Sequence, residues 1–296
     1  MLKRKLVKKV LGSSLLLAFV IINTAGLPLI ATPEKNSSAD SAGQYISFDP
    51  IQLKVYGLHE SEMADMPTLQ LDKSVGKYVE DYIKAYSHTF EKIKERSPSY
   101  FRIIDSVFTK YGLPVELKYV AIVESQLKPS IVSKAGAVGA WQLMPATART
   151  FSLKVTAGYD ERTNFYKSTV AAAKYFRYLH NMLGDWLLVI AAYNGGPGTV
   201  FKAIKKSGSR SFWKLQDYLP AESRVHVKKF ISTHYYFEKK GSVTTITKDE
   251  AEKYAEQLCE FVAWKNALRN EKNNESKGVV ARISANAEVI LNNDEE

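Results

Sequence analysis

Between Ser74 and Lys240 the chain repeats apolar residues at three- and four-residue spacing, interrupted by short stretches of proline, glycine or asparagine. That period belongs to helices with one buried face. SVGKYVEDYIKAYSHTFEKIKERS carries it through Tyr78, Tyr82 and Ile83. Pro98 separates a second helix, YFRIIDSVFTKYG, which Gly112 closes. Pro114 opens a third, VELKYVAIVES, at a position where its missing N–H costs nothing. PATARTF, KSTVAAAKYFRYLHNML, DWLLVIAAYNG, GPGTVFKAIKKSG and AESRVHVKKFISTHYYFEKK continue the series. No alternating strand pattern of any length occurs between residues 74 and 240, so the expected fold class is all-α.

Outside that block the composition changes. The expected organisation is an N-terminal signal or anchor over 1–31, a linker and lead-in over 32–73, a helical domain over 74–240, and a C-terminal extension over 241–296. KDEAEKYAEQLCEFVAWKNALRN, residues 248–270, reads as one more helix. The polar stretch after it contains VVARIS and AEVIL, two segments that could pair as weak strands. Leu258 and Phe261 flank the single cysteine, Cys259, and predict a buried apolar thiol.

The net charge of +10 is less basic than it looks, because half of it sits in Lys3, Arg4, Lys5, Lys8 and Lys9. That basic run leads into VLGSSLLLAFVII and then NTAGLPLIATP, the layout of a secretory signal. The expected location is therefore outside the cytoplasm, in the periplasm or cell envelope, with cleavage after Ala25, after Ala31, or retention as a membrane anchor. The remaining positive charge suits an anionic polymer such as a cell wall. Basic residues and aromatics are not interleaved and no nucleic-acid motif is present, so nucleic acid is not an expected partner.

One carboxylate stands out. Leu117, Val120, Ala121 and Glu124 fall at i, i+3, i+4 and i+7, which puts Glu124 on the apolar stripe of its helix. Such a group either pairs with a cation or faces a cleft from a poorly solvated position. In the second case desolvation and the negative helix terminus raise its pKa, as a general acid requires. Downstream, SKAGAVGAW supplies Gly136, Gly139 and three alanines, a backbone that a ligand can approach closely. Trp141 and Gln142 then offer an aromatic face and an amide suited to sugars, or else Trp141 anchors a tight loop from the core. In DWLLVIAAYNGGPGTV the residues Trp186, Val189, Ile190 and Tyr193 repeat the stripe, so Tyr193 ends a buried row as Glu124 does. Asn194-Gly195-Gly196 terminates that helix, with glycine in the position suited to a left-handed cap. Two helices that each end their stripe in a polar group before a glycine-rich turn are expected to open on one cleft.

These words in this order resemble the lytic murein transglycosylases, the family built on a goose-lysozyme-like helical domain. The resemblance rests on ES at 124–125, S-x-x-GAxGxWQxMP over 133–145 and AYNGG over 192–196, and it extends over about residues 95–240. The membrane-bound lytic transglycosylase D subtype is the one it brings out. By this resemblance Glu124 is the single catalytic acid and Ser133 a hydroxyl that supports the reaction. Gln142 and Met144 line the substrate groove, within a GAWQLMP in which Ala140 and Trp141 replace a usual Leu-Met. Tyr193 and Asn194 match an Ala-Tyr-Asn motif, and Glu222 a Glu-Thr-Arg element. Four residues after that glutamate the family commonly has a tyrosine. Here the position holds His226.

The activity implied is cleavage of the β-1,4 bond between N-acetylmuramic acid and N-acetylglucosamine in peptidoglycan glycan strands. It forms 1,6-anhydromuramic acid and requires neither cofactor nor metal. A hydrolytic muramidase needs a second carboxylate. Of the candidates, Asp160 and Glu161 are placed to cap and charge the next helix, and Asp185 is expected at an N-cap. A non-catalytic peptidoglycan-binding protein is the third reading. The histidines His59, His88, His180, His226 and His234 form no zinc-binding spacing, and NGGPGT follows a helix rather than a strand, against a phosphate cradle.

Overall fold

The computed structural model describes residue 62 and residues 65–293, with side chains up to 277 and that of Val279. The expected signal or anchor segment and most of the expected lead-in lie outside the described residues. The described residues form ten α-helices and one minimal hairpin: α1 (Gly76–Arg96), α2 (Pro98–Lys110), α3 (Tyr119–Ser125), α4 (Pro145–Thr150), β1 (Val155–Thr156), β2 (Tyr159–Asp160), α5 (Phe165–Leu183), α6 (Trp186–Gly195), α7 (Pro197–Ser207), α8 (Phe212–Leu215), α9 (Ala221–Glu238) and α10 (Lys248–Asn293). The all-α expectation is borne out. β1 and β2 pair antiparallel with Val155 opposite Asp160, and two residues per strand are too few to leave a period in the sequence.

α6 is the centre of the molecule. Every residue from Trp186 to Tyr193 is buried, so the helix has no polar face, and the stripe read from its sequence is only one part of a surface covered all round. α5, α7 and α9 pack around it. Asp185 caps its start, the side chain accepting from Leu188 N at 3.0 Å, as expected. Its end is Gly196, whose φ of 78° with ψ of 150° lies in an extended region open to glycine rather than in the left-handed helical cap the sequence suggested.

α9 is the second organiser and packs against α1, α3 and α6. α1 lays Val79, Phe90 and Ile93 onto the core, and Phe90 meets Tyr236 of α9 at 4.6 Å between ring centres. The third predicted helix is divided. Val115–Lys118 form a 3₁₀ turn with Pro114 outside it at the N-cap, and only Tyr119–Ser125 are α-helical. The tighter turn sets the angle at which α3 enters the core, where Leu117, Val120 and Ala121 are fully buried.

Two expectations for the C-terminus fail. VVARIS and AEVIL lie within α10, a single helix of 46 residues, and not in strands. Unbroken i-to-i+4 bonding satisfies the backbone without a partner, which an isolated strand pair does not do. Cys259 is exposed, because Leu258 and Val262 take the side of α10 that packs on Met66. The lead-in also fastens to α10 through ion pairs, Lys265 to Asp65 and Arg269 to Glu62, both at 2.8 Å. No helix among the described residues is long and apolar enough to cross a membrane.

Candidate functional site

α3 ends at Ser125, and the next two residues, Gln126 and Leu127, both have positive φ (56° and 60°) although neither is glycine. Consecutive strained residues persist only where surrounding structure fixes them, and they cost about 1–3 kcal/mol each. Here Leu127 is buried, Arg96 donates to the Gln126 carbonyl, and the Ser125 hydroxyl donates to the Ala140 carbonyl at 2.7 Å. These contacts hold the end of α3, and with it Glu124, against the loop that follows.

That loop, from Gln126 to Met144, turns on bridges between Val132 and Val138 and between Val138 and Leu143. Gly139 has a φ of 89°, and a Cβ there would sit 2.2 Å from the Arg162 carbonyl oxygen, so backbone meets backbone where no side chain fits. The Arg162 guanidinium, itself buried, holds the loop from inside. It donates to the Gly136 carbonyl at 2.8 Å and the Leu143 carbonyl at 2.9 Å. Asp160 pairs with Arg162 and is held below its ordinary pKa by that hydrogen bond.

Trp141 is wholly buried and donates from Nε1 to Thr169 Oγ1 at 3.0 Å. It anchors the loop and presents no face to a ligand. The Tyr193 hydroxyl donates to the Trp141 carbonyl at 2.7 Å, joining the end of α6 to the loop. Burial pushes the Tyr193 phenol well up, and the neighbouring Glu124 adds to the effect. Asn194 accepts from Ser223 Oγ of α9 at 2.9 Å. A Cβ at Gly195 would lie 2.4 Å from that same Oγ, so α6 and α9 approach as closely as glycine permits.

α9 brings Glu222, Ser223, His226 and Lys229 to this point on successive turns. His226 Nε2 lies 3.5 Å from Glu124 Oε1. Burial lifts Glu124 to about 8, helped by the charge of Glu222 and opposed by Lys229. Burial also drops His226 to about 4, with Lys229 adding to it. Between those values both groups are uncharged, so the contact joins two neutral groups and is not an ion pair. The Glu124 side chain keeps 16% of its surface accessible, which leaves one edge of a protonated acid open.

Of the residues predicted from sequence, the structure gathers Glu124, Tyr193, Asn194, Glu222 and His226 where α3, α6 and α9 converge. Ser133, Gln142 and Met144 lie on the loop. Ser133 uses its hydroxyl within its own turn, accepting from Ala137 N at 3.0 Å. Gln142, at a φ of 45°, donates its amide to the Gly139 carbonyl at 2.9 Å. Met144 is exposed at the start of α4. Sequence reasoning missed Lys229 and Arg162. Lys229 stands three residues after His226 and seven after Glu222, so helical spacing alone places it on their face.

The competing carboxylates are occupied elsewhere. Glu161 is held low by the Lys154 backbone N–H and by Lys167, and Asp185 caps helices. Among the described residues no cluster of three or more His, Cys, Asp or Glu side chains could hold a metal ion.

Residues 104–216 match the family model of the transglycosylase SLT domain. Membrane-bound lytic murein transglycosylase D of Escherichia coli K12 is 40% identical over 154 residues, half of this chain and 33% of the relative. Soluble lytic murein transglycosylase of Salmonella typhimurium is 27% identical over 160 residues, again half of this chain and 24% of the relative. Among solved structures, an inactive mutant of the lytic transglycosylase Slt from Pseudomonas aeruginosa aligns over 50% of this chain and 26% of its own, at 21% identity and a TM-score of 0.43. The resemblance read from the motifs is borne out over the segment that carries them. The chain spans about a third of the length of the first of these relatives.

Proposed function

We propose that the protein is a peptidoglycan lytic transglycosylase that acts on glycan strands in the cell envelope, after export through its N-terminal segment. The observation that carries this reading is the position of Glu124, mostly buried at the junction of α3, α6 and α9 with one edge open, where burial lifts its pKa to about 8. A protonated Glu124 donates to the glycosidic oxygen between N-acetylmuramic acid and N-acetylglucosamine. Its carboxylate then takes the proton from the C6 hydroxyl of the same muramic residue. Intramolecular attack closes a 1,6-anhydro ring, and the effective molarity of a positioned hydroxyl replaces a second carboxylate. In this reading Tyr193, Asn194 and the loop residues Ser133, Gln142 and Met144 shape the groove.

Glu222 supports the hydrolytic alternative, because its charge reaches Glu124 and its side chain is exposed on α9. A digest of purified sacculi with protein lacking residues 1–31, followed by mass spectrometry, separates the readings. Products ending in 1,6-anhydromuramic acid are expected. Products heavier by one water, lost on Glu222→Gln, would make the protein a muramidase. Binding without products would make it a peptidoglycan-binding protein. Glu124→Gln should abolish turnover and leave binding; activity surviving that change would overturn the assignment of the acid.

A further inference from the structure

We infer that His226 is a positioning residue for Glu124: its neutral imidazole donates from Nε2 to Oε1 and thereby assigns the acid's proton to Oε2. The inference deepens the transglycosylase reading and rests on it.

Three observations converge on this pair. His226 Nε2 is buried with no hydrogen-bond partner, which is a costly state for a ring nitrogen. A carboxyl oxygen of Glu124, Oε1, lies 3.5 Å from it, just beyond the usual length of a hydrogen bond. The charged and titratable groups around the pair are Glu222 and Lys229 on α9 and Tyr193 on α6. Tyr193 is committed to the Trp141 carbonyl, and Lys229 disfavours a second positive charge on His226. A neutral imidazole is thus the partner left for the acid.

Only one proton arrangement serves catalysis. If Oε1–H donated to Nε2, the acid's proton would be held against α9 and withheld from substrate. With Nε2–H donating to Oε1, the proton resides on Oε2, free for delivery. As Oε2–H breaks and the glycosidic oxygen gains the proton, negative charge grows on the carboxylate. The Nε2–H···Oε1 bond then becomes charge-assisted and stronger than in the ground state, which is the condition for accelerating the step. When the carboxylate recovers a proton from the sugar hydroxyl it does so at Oε2. His226 neither gains nor loses a proton throughout, and the balance is complete with Glu124 and the substrate alone.

The test compares His226→Phe, which removes the donor, with His226→Gln and His226→Tyr, which offer another. The expected result is a kcat lowered roughly 10- to 100-fold in the Phe variant with KM within a factor of about three. Substantial recovery is expected in Gln or Tyr. The alkaline limb of the Phe variant should move to higher pH, since a donor to the carboxylate lowers its pKa. An alkaline limb that moves to lower pH would show that Nε2 had been an acceptor, and would overturn the inference. So would a raised KM at unchanged kcat, which marks a groove contact only. ¹⁵N NMR of the unmutated protein at pH 6–7 reads the tautomer without any turnover: Nε2–H is expected, and an Nδ1–H tautomer or an imidazolium overturns the inference. A ¹³C titration of Glu124 in the Gln variant keeps the test open should the Phe variant fail to fold. Failure of the transglycosylase reading would show in the sacculus digest, while these two spectra would still report on the pair.

Discussion

The Tyr193 hydroxyl donates to the Trp141 backbone carbonyl at 2.7 Å, and so ties the last turn of the central helix, buried from Trp186 to Tyr193, to the loop that borders the candidate acid. Removing the donor leaves a buried carbonyl unpaired, which costs about 1–3 kcal/mol. Tyr193→Phe is therefore expected to lower stability by that amount in urea denaturation. Activity should fall further than stability accounts for, because the loop is no longer fixed against Glu124. Equal activity at equal folded fraction would show that this bond serves the fold alone.

Glu124 makes a signed prediction about pH. Its folded pKa of about 8 lies above that of an exposed glutamate, so between those values the folded state holds a proton that the unfolded state has released. Its contribution to stability is whole below the unfolded pKa and is lost as pH rises through 8. Glu124→Gln removes the ionisation, and at pH 7 it should stabilise the protein by roughly 2–3 kcal/mol relative to the parent. The two melting curves should converge near pH 4.5. A constant difference across pH would mean that the carboxyl is not desolvated as described. In the parent, activity should decline above about pH 8 as the acid loses its proton.

His234 works in the opposite direction. It is fully buried with neither ring nitrogen partnered, and burial lowers it to about 3. His226 is lowered as well. For such groups the unfolded state binds the extra proton, so stability present above pH 6.5 is lost as pH falls toward 3. His234→Phe is expected to flatten that acid limb by the share of one histidine. Thermal melts between pH 7 and 4 measure it, and an unchanged slope would refute it.

Asp185 serves two helices at once. One carboxylate oxygen accepts from Leu188 N of α6, and the other from Lys248 N of α10 at 2.7 Å. Asp185→Ala removes both caps and should cost about 1–4 kcal/mol, twice the usual loss for one. Hydrogen exchange should quicken at the start of α10 as well as α6. Protection lost at α6 alone would show that α10 is held by other contacts.

Gly139 is the most sterically restricted point of the loop. Gly139→Ala would drive a methyl into the Arg162 carbonyl at a positive φ, and is expected to lower both melting temperature and activity. Arg162→Lys should be milder for stability, yet one ammonium cannot bond the Gly136 and Leu143 carbonyls, as Nη1 does, and also keep the forked pair that Nε and Nη2 make with Asp160. An unimpaired Gly139→Ala variant would mean that the loop shifts to accommodate the methyl.

Most helices between residues 74 and 240 are legible in the amino-acid sequence, because apolar spacing, proline and glycine act within a few residues; the short α8 and the C-terminal half of α10 are not. The sequence by itself also singled out Glu124, since a carboxylate on a stripe with Leu117, Val120 and Ala121 contradicts its neighbours. Asp185 at an N-cap was legible for the same local reason. Tertiary structure decided what lies far apart in the chain. Trp141 looked equally fit for a ligand or a core, and only Thr169 and the surrounding helices made it an anchor. The exposure of Cys259 depends on which side of α10 receives Met66, a contact across nearly two hundred residues. The pairing of His226 with Glu124 likewise requires α9 to cross α3. Periodicity is a property of short range, whereas burial, field and proton state are set by whichever neighbours the fold brings near.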